Sequence, residues 1–265
     1  MSRNPQLLTR RVRQTLSFTN GPGILLALAS QKTPWRREEL TFQLPGGGVV
    51  ICPNQPGARV PVYEVFAEDA YRISEITADL PEDFVALDIG GHIGCFSIAL
   101  AKAAPAATVH TFEASPSTAS WLRRNIEANS LGDRVVPHSW AVSGSRGTLE
   151  FADNARGSSL NGLTAPMGST VPVQVRAVTI DDAVQEAGGR VDLVKIDTEG
   201  AEYDMLAGTT ARTWAGVRRV VMEYHDVPGH GWPEVEQLFR EAGLTVSRHE
   251  PVSDRQGTVW LSRDS

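Results

Sequence analysis

From residue 84 onward, short apolar runs alternate with helical patterns, and this alternation constrains the fold more than any other feature of the chain. Strands that alternate with helices of this length form parallel sheets through right-handed crossovers. The expected fold class is therefore α/β, built on a mostly parallel sheet. The predicted strands are 84–88, 108–112, 134–140, 191–197 and 217–224, and the predicted helices are 93–104, 117–129, 201–207 and 233–242.

The segments outside this alternation predict two additions to the sheet. The tail, LTVSRHE at 244–250 and TVWLSRDS at 258–265, reads as a closing hairpin with its second strand at 258–263, which would place one antiparallel strand at a side of the sheet. Residues 141–180 contain no good helical pattern. GTLEF and VPVQVRAV instead predict an inserted pair of strands around the flexible segment GSSLNG.

The first 80 residues form a separate extension in this interpretation, and 81–265 form the main domain. Residues 1–35 predict one or two short amphipathic helices broken at Gly21-Pro22-Gly23. The alternation and glycines of 40–53 predict a β-hairpin, and 61–80 is mostly helical in pattern. We expect this extension to contribute contacts to an acceptor substrate or to another subunit of an oligomer.

Composition excludes several classes of function. A formal charge of −6 and the lack of any Lys/Arg run give no basic field for nucleic acid. No run approaches the ~20 apolar residues of a membrane span. The N-terminal Arg pair and short apolar run fall short of a signal core, so we expect a cytoplasmic protein. The two cysteines, Cys52 and Cys95, are expected to be reduced thiols.

The stretch VALDIGGHIGCFSIALA places a glycine turn directly after the first of these strands. The dinucleotide fingerprint needs glycines at offsets 0, 2 and 5, whereas Gly90, Gly91 and Gly94 stand at 0, 1 and 4. An acidic residue at the start of the turn, Asp88, would repel a pyrophosphate but favour a cationic ligand such as S-adenosylmethionine. The next strand ends at Glu113, whose carboxylate can accept hydrogen bonds from both hydroxyls of a ribose.

Four successive segments resemble the motifs of the FkbM-type S-adenosylmethionine-dependent methyltransferases: VALDIGGHIGCFSIALA, HTFEASPSTASWLRRNIEAN, DLVKIDTEGAEYDMLAG and VVMEYH. The K-I-D-x-E-G-A-E string is the specific part of this resemblance, which covers about residues 60–225. The family usually has Ala-Asn in the turn where this chain has Gly91-His92.

The resemblance implies a Rossmann-like class I methyltransferase sandwich, with a mostly parallel seven-stranded sheet and one antiparallel strand. It also implies O-methylation of a small-molecule or sugar hydroxyl, as in natural-product (secondary metabolite) or glycan tailoring, and adenine bound by Ser139, Trp140 and Ala141. The predicted cofactor-binding residues are Asp88, Gly90, Gly91, His92, Gly94, Glu113, Ala114, Ser115, Trp140, Ala141 and Asp197.

A second set of polar residues follows the fourth and fifth strands and predicts the catalytic site. Because the carboxyl ends of parallel strands meet at one sheet edge, these side chains should gather beside the cofactor. The candidates are Lys195, Asp197, Glu199, Glu223 and His225. Glu202 could equally be a structural residue at the start of its helix.

An alcohol is a poor nucleophile until its proton is being removed, so the chemistry calls for a base. His225 is the natural base near neutral pH, with Asp197 or Glu223 orienting it. A divalent metal held by the carboxylates is the alternative, and we do not favour it.

Two other functions remain open on sequence alone. One is a nicotinamide-dependent oxidoreductase on a similar sheet, which the glycine spacing disfavours. The other is a module that binds S-adenosylmethionine without catalysis, which the retained Asp197, Glu223 and His225 disfavour. The expected partner is a small-molecule or sugar hydroxyl acceptor, with a homo-oligomer left open and neither nucleic acid nor membrane expected.

Overall fold

A computed structural model describes residues 5–153 and 171–263 of the chain. The helices are α1 (Pro5–Leu16), α2 (Gly21–Ala29), α3 (Pro56–Phe66), α4 (Ile73–Thr77), α5 (Cys95–Ala103), α6 (Pro116–Ala128), α7 (Ile180–Glu186), α8 (Glu202–Ala207) and α9 (Trp232–Glu241), with a 3₁₀ turn at Ser30–Lys32. The strands are β1 (Glu39–Gln43), β2 (Val49–Pro53), β3 (Val85–Ile89), β4 (Thr108–Phe112), β5 (Val135–His138), β6 (Ala141–Val142), β7 (Gly147–Asp153), β8 (Val171–Val178), β9 (Leu193–Ile196), β10 (Arg219–Tyr224), β11 (Thr245–Ser253) and β12 (Gln256–Ser262).

A seven-stranded sheet in the order β11-β12-β10-β9-β3-β4-β5 organises the molecule. The strands from β10 to β5 are parallel, while β12 runs antiparallel to both β10 and β11. The closing hairpin therefore inserts its second strand beside β10, and the predicted mostly parallel sheet with one antiparallel strand is confirmed.

The order of strands also fixes which site residues are neighbours. Asp88 on β3 lies opposite Lys195 on β9, and Lys195 in turn lies opposite Val221 on β10. The three strands end at the same edge of the sheet, so the residues that follow them meet there. This is the edge at which open α/β sheets bind ligands.

The N-terminal extension packs on one face of the sheet and shares its core. Phe18, Phe42 and Tyr63 form an edge-to-face aromatic group with ring centroids 5.0–6.0 Å apart. The same buried cluster continues to Phe96 of α5 and to Trp260 of β12, whose indole donates to the carbonyl of Tyr71 at 3.1 Å. The extension therefore covers one side of the seven-stranded sheet with a shared apolar core.

The β1–β2 hairpin and the antiparallel β7–β8 pair form as predicted. The segment GSSLNG and the rest of residues 154–170 lie outside the described residues. Within the described part of the chain, no helix is long and apolar enough to cross a membrane.

Three local predictions were wrong. Gly21-Pro22-Gly23 does not break a helix but opens α2, where proline at the first turn loses no hydrogen bond. The strand predicted to reach residue 140 ends at His138, so Trp140 lies between β5 and β6. Helix α7 was missed, although Thr179 and Asp182 form a capping box that the T-x-x-D spacing indicates.

Candidate active site

A cleft of about 1170 Å³, including its open mouth, lies over the carboxyl ends of the central strands. One wall comes from β3, β4 and the segments after them, and another from β7. The residues after β9, Glu223 on β10 and helix α3 complete the lining of the cleft. Its lining is Val60, Pro61, Glu64, Ile89, Gly90, His92, Phe112, Glu113, Ala114, Thr118, Trp140, Ala141, Val142, Ser143, Leu149, Phe151, Asp197, Thr198, Glu199, Ala201 and Glu223.

The glycine turn after β3 is held against neighbouring backbone. The amides of Gly90 and Gly91 both donate to the carbonyl of Phe112, at 3.0 and 2.9 Å. Gly90 has φ +79°, and a Cβ there would lie 1.7 Å from the carbonyl oxygen of Asp197. Glycine at this position is therefore required by the close approach of two strand ends as well as by φ.

Asp88 and Lys195 form a buried ion pair beneath the turn. Lys195 Nζ lies 3.3 Å from Asp88 Oδ1 and donates to the carbonyl of Gly90 at 2.7 Å. Asp88 also accepts from the hydroxyl of Ser97 at 2.6 Å. The side chains of Asp88 and Lys195 are 0% and 3% exposed.

Neither residue of this pair lines the cleft, contrary to their predicted roles in cofactor contact and catalysis. A carboxylate and an ammonium group buried together satisfy each other. Their geometry supports the turn from below, which is a structural function.

Glu113, at the end of β4, lines the cleft and holds its loop in place. Its two carboxylate oxygens accept from the backbone amides of His92 and Ser115, both at 2.8 Å. Burial raises the pKa of Glu113 to about 7, against the lowering effect of these two hydrogen bonds. Each carboxylate oxygen has a second lone pair that can accept a further hydrogen bond.

His92 adopts φ +49° within the turn and lines the cleft. Burial lowers the pKa of His92 to about 4, so its imidazole is neutral at physiological pH. Both ring nitrogens are buried without a hydrogen-bond partner in the described structure.

The other predicted cofactor residues divide into two groups. Ala114, Trp140 and Ala141 line the cleft, whereas Gly91, Gly94 and Ser115 do not. Ser115 caps helix α6 by accepting from the amide of Thr118. The Trp140 ring lies 6.1 Å from that of Phe112, and the Arg176 guanidinium stacks 4.0 Å from its centroid.

The predicted catalytic residues Asp197, Glu199, Glu223 and His225 come together at the ends of β9 and β10. Nε2 of His225 lies 3.6 Å from Glu199 Oε2 and 3.8 Å from Glu223 Oε1. One ligand atom each from Asp197, Glu223 and His225 falls within 4.8 Å of the others. Asp197, Glu199 and Glu223 line the cleft, and His225 does not.

The other ring nitrogen of His225 is engaged by Glu202, which is fully buried at the start of α8. His225 Nδ1 lies 3.1 Å from Glu202 Oε1. Glu202 also accepts from the backbone amides of Thr198 and Gly200. The sequence alone did not decide between a structural and a functional role for Glu202. Its carboxylate contacts both the loop at 198–200 and the ring of His225.

The pKa values of this group reflect burial and mutual charge. Burial alone would lower the pKa of His225, but Glu202, Asp197 and Glu199 raise it to about 9. Burial and the charge of Asp197 raise the pKa of Glu223 to about 7. His225 is therefore cationic at neutral pH, and it lies next to the carboxylates that line the cleft.

Two residues of the extension contribute to the site and were not predicted. Glu64 of α3 lines the cleft, and burial followed by the charge of Asp197 raises its pKa. The Tyr71 hydroxyl donates to Asp197 Oδ2 at 2.9 Å. No local pattern marks either residue, because both reach the site through the packing of the extension on the sheet.

The strand order, the acid-glycine turn and the cleft at the carboxyl ends define a class I, Rossmann-like methyltransferase fold. A solved structure described as the SAM-dependent methyltransferase from Agrobacterium tumefaciens has the same fold, with a TM-score of 0.51 and 14% identity over 88% of this chain and 72% of that one. The family model for the methyltransferase FkbM domain matches residues 88–245. The chain belongs to the FkbM methyltransferase family, and it is an S-adenosylmethionine-dependent methyltransferase.

Curated relatives agree with this assignment. The 31-O-demethyl-FK506 methyltransferase FkbM of Streptomyces tacrolimicus is 30% identical, over 78% of this chain and 89% of its own length. Methyltransferase sdnD of Sordaria araneosa is 30% identical, over 70% of this chain and 81% of its own. The hexuronic acid methyltransferase AglP of Haloferax volcanii is 26% identical, over 68% of this chain and 70% of its own length.

Proposed function

We propose that this enzyme O-methylates a hydroxyl of a small molecule or sugar, in natural-product or glycan tailoring. The observation that carries the proposal is the group of Asp197, Glu199 and Glu223 on the wall of the cleft, backed by His225. Methyl transfer to an alcohol releases a proton, and this group provides the acceptors for it. The names of two relatives, which specify 31-O-demethyl-FK506 and a hexuronic acid, support an acceptor of this kind.

S-adenosylmethionine would lie along the turn after β3. In this proposal Glu113 binds the ribose hydroxyls and Trp140 covers the adenine, while Ala114 and Ala141 form the apolar wall. Gly90 and His92 border the amino-acid part of the cofactor, with Asp197 beyond them. The cofactor supplies the methyl group as a reactive sulfonium, and the protein positions the acceptor in line with it.

Helix α3 lines the cleft with Val60, Pro61 and Glu64. We propose that this part of the extension contacts the acceptor. The cytoplasmic location and the homo-oligomer remain predictions. Leu26 and Trp35 of the extension, 73% and 82% exposed, are apolar side chains that an oligomer contact would cover.

The family assignment decides against a nicotinamide-dependent oxidoreductase. A module that binds the cofactor without catalysis would have no use for the carboxylates gathered on the wall of the cleft. Mass spectrometry separates these functions. Incubation with S-adenosylmethionine and a panel of alcohols and glycosides should yield a product about 14 mass units heavier, as one CH₂ is added. Cofactor binding with no product from any hydroxyl compound would contradict the proposed O-methylation.

A divalent metal is not expected to be required. Asp197, Glu223 and His225 are close enough to share an ion. Two of them already have protein partners, since Asp197 accepts a hydrogen bond from Tyr71 and His225 contacts Glu202. We predict that EDTA leaves methyl transfer within about twofold of the untreated rate, since a protein base needs no Lewis acid. Activity abolished by EDTA and restored by Mg²⁺ or Mn²⁺ would overturn this prediction.

A further inference from the structure

We infer that Glu223, and not His225, is the general base of methyl transfer, and that His225 is the residue that positions Glu223. This inference rests on the proposed O-methylation. It reverses the roles that the residue types suggest, because histidine is the more usual base near neutral pH. Of the two side chains, Glu223 lines the cleft and His225 does not.

Alternation along β10 places Glu223 on the face of the sheet opposite to its neighbours Met222 and Tyr224. Met222 and Tyr224 are fully buried in an apolar cluster with Ile196 and Val220. The Glu223 side chain is 34% exposed and lines the cleft beside Asp197. An acceptor hydroxyl in the cleft can therefore reach Glu223 without any rearrangement.

His225 lies behind the carboxylates. Its side chain is 15% exposed, and both ring nitrogens are directed at protein groups. Nδ1 is held by the buried Glu202, and Nε2 faces Glu199 and Glu223. An imidazole in this position at neutral pH carries a proton on each nitrogen and has no lone pair to offer an acceptor.

The other carboxylates of the cleft fit the role less well. Asp197 Oδ2 accepts from the Tyr71 hydroxyl and lies 3.6 Å from the ammonium of Lys195. Both contacts occupy Asp197 with protein groups, so it is less available to an acceptor hydroxyl. The Glu199 side chain is 51% exposed, against 34% for Glu223. Glu223 is the more buried of the two glutamates, and burial makes a carboxylate more basic.

The reaction then balances as follows. A lone pair of the acceptor oxygen forms the new O–CH₃ bond while the C–S bond breaks, and its electron pair stays on sulfur as the neutral thioether. The hydroxyl proton passes to the carboxylate of Glu223. Glu223 releases this proton to solvent after the methyl ether has left the cleft. The imidazolium of His225, 3.8 Å away, holds the carboxylate ionised before transfer.

Kinetics of paired variants test the inference, with whichever acceptor the product screen identifies. Glu223→Gln should lower kcat by ~10²–10⁴-fold, the usual contribution of a base, with cofactor affinity within a few-fold of the parent. His225→Gln should retain more activity than Glu223→Gln. Its pH limb should move to higher pH, because the positive charge that lowers the pKa of Glu223 is gone.

The parent should show a single limb that rises through about pH 7 as Glu223 ionises. Glu234→Gln is the matched control, since Glu234 pairs with His230 at 2.8 Å on the surface outside the cleft. Its rate and pH profile should equal those of the parent. A parent limb near pH 9, with His225→Gln inactive and Glu223→Gln active, would overturn the inference.

A measurement without an acceptor guards against variants that misfold and against failure of the proposed reaction. In ¹⁵N NMR of the parent protein at pH 7.5, with and without S-adenosylhomocysteine, His225 should show two protonated ring nitrogens. A neutral His225 with an unprotonated Nε2 in the complex would contradict the inference and identify His225 as the general base. If the cofactor binds but no hydroxyl compound is methylated, the proposed function fails. The NMR measurement would still determine the protonation state of His225.

Discussion

At the scale of single residues, the site is governed by how deeply each polar side chain is buried. Asp88 and Lys195 are covered by the turn they support, whereas Glu113 and Glu223 reach the cleft. Residues with similar charge and similar position at a strand end therefore perform different functions. Burial and partners decide the outcome, as they decide which ionisable groups keep their charge.

Gly90 gives the sharpest prediction at this scale. Gly90→Ala places a Cβ against the carbonyl oxygen of Asp197 in a backbone conformation that alanine rarely adopts. We expect cofactor affinity to fall more than tenfold and the melting temperature to drop, as measured by calorimetry. Gly132→Ala is the control, because a Cβ at Gly132 meets no atom within 4 Å. A Gly90→Ala protein that titrates like the parent would show that the turn does not depend on this approach.

At the scale of elements, the strands of the sheet can be predicted from the sequence, whereas the way the extension packs on the sheet cannot. Buried strands such as β9, in which all four residues are buried, are recognisable as apolar runs between glycine or polar segments. The same runs placed Asp197 and Glu223 at neighbouring strand ends. Glu64 and Tyr71 could not be assigned in this way, because their position depends on how α3 and α4 dock on the sheet. Helix α7 could have been found, since its capping box is local.

Helix α3 supplies the prediction at this scale. Glu64→Gln should raise KM for the acceptor several-fold while changing cofactor affinity less than twofold, since Glu64 lines the side of the cleft formed by the extension. Steady-state kinetics with the acceptor from the product screen would measure both. Glu75→Gln, on α4 and half exposed, should behave like the parent. Equal KM values for Glu64→Gln and the parent would remove α3 from the acceptor site.

At the scale of the whole molecule, charge in the cleft links folding to pH. Burial alone would lower the pKa of His225, but its carboxylate partners raise it from 6.5 to about 9. A group with a raised folded pKa stabilises the fold fully below its unfolded pKa and loses that contribution as pH rises through the folded value. Between pH 7 and 9, the titration of His225 should dominate the stability profile of this group, since Glu113 and Glu223 titrate near 7.

We therefore predict that the free energy of unfolding falls by roughly 1–3 kcal/mol between pH 7 and 9. Urea unfolding of the unliganded protein at a series of pH values measures this directly. His225→Gln should flatten the decline, and His230→Gln, outside the cleft, should not. A parent protein equally stable at both pH values would contradict the charge arrangement described for the cleft.

Binding of S-adenosylmethionine through Glu113 tests the account most directly, because the orientation of the cofactor fixes where the methyl group and the acceptor must lie. Calorimetric titration at pH 8, where Glu113 is ionised, should show the parent binding one equivalent. Glu113→Gln should bind roughly 5- to 150-fold more weakly, about 1–3 kcal/mol, because charge-assisted hydrogen bonds to the ribose are lost. Glu127→Gln, exposed on α6, is the control. Equal affinity of parent and Glu113→Gln, with the variant folded, would place the cofactor elsewhere and contradict the account.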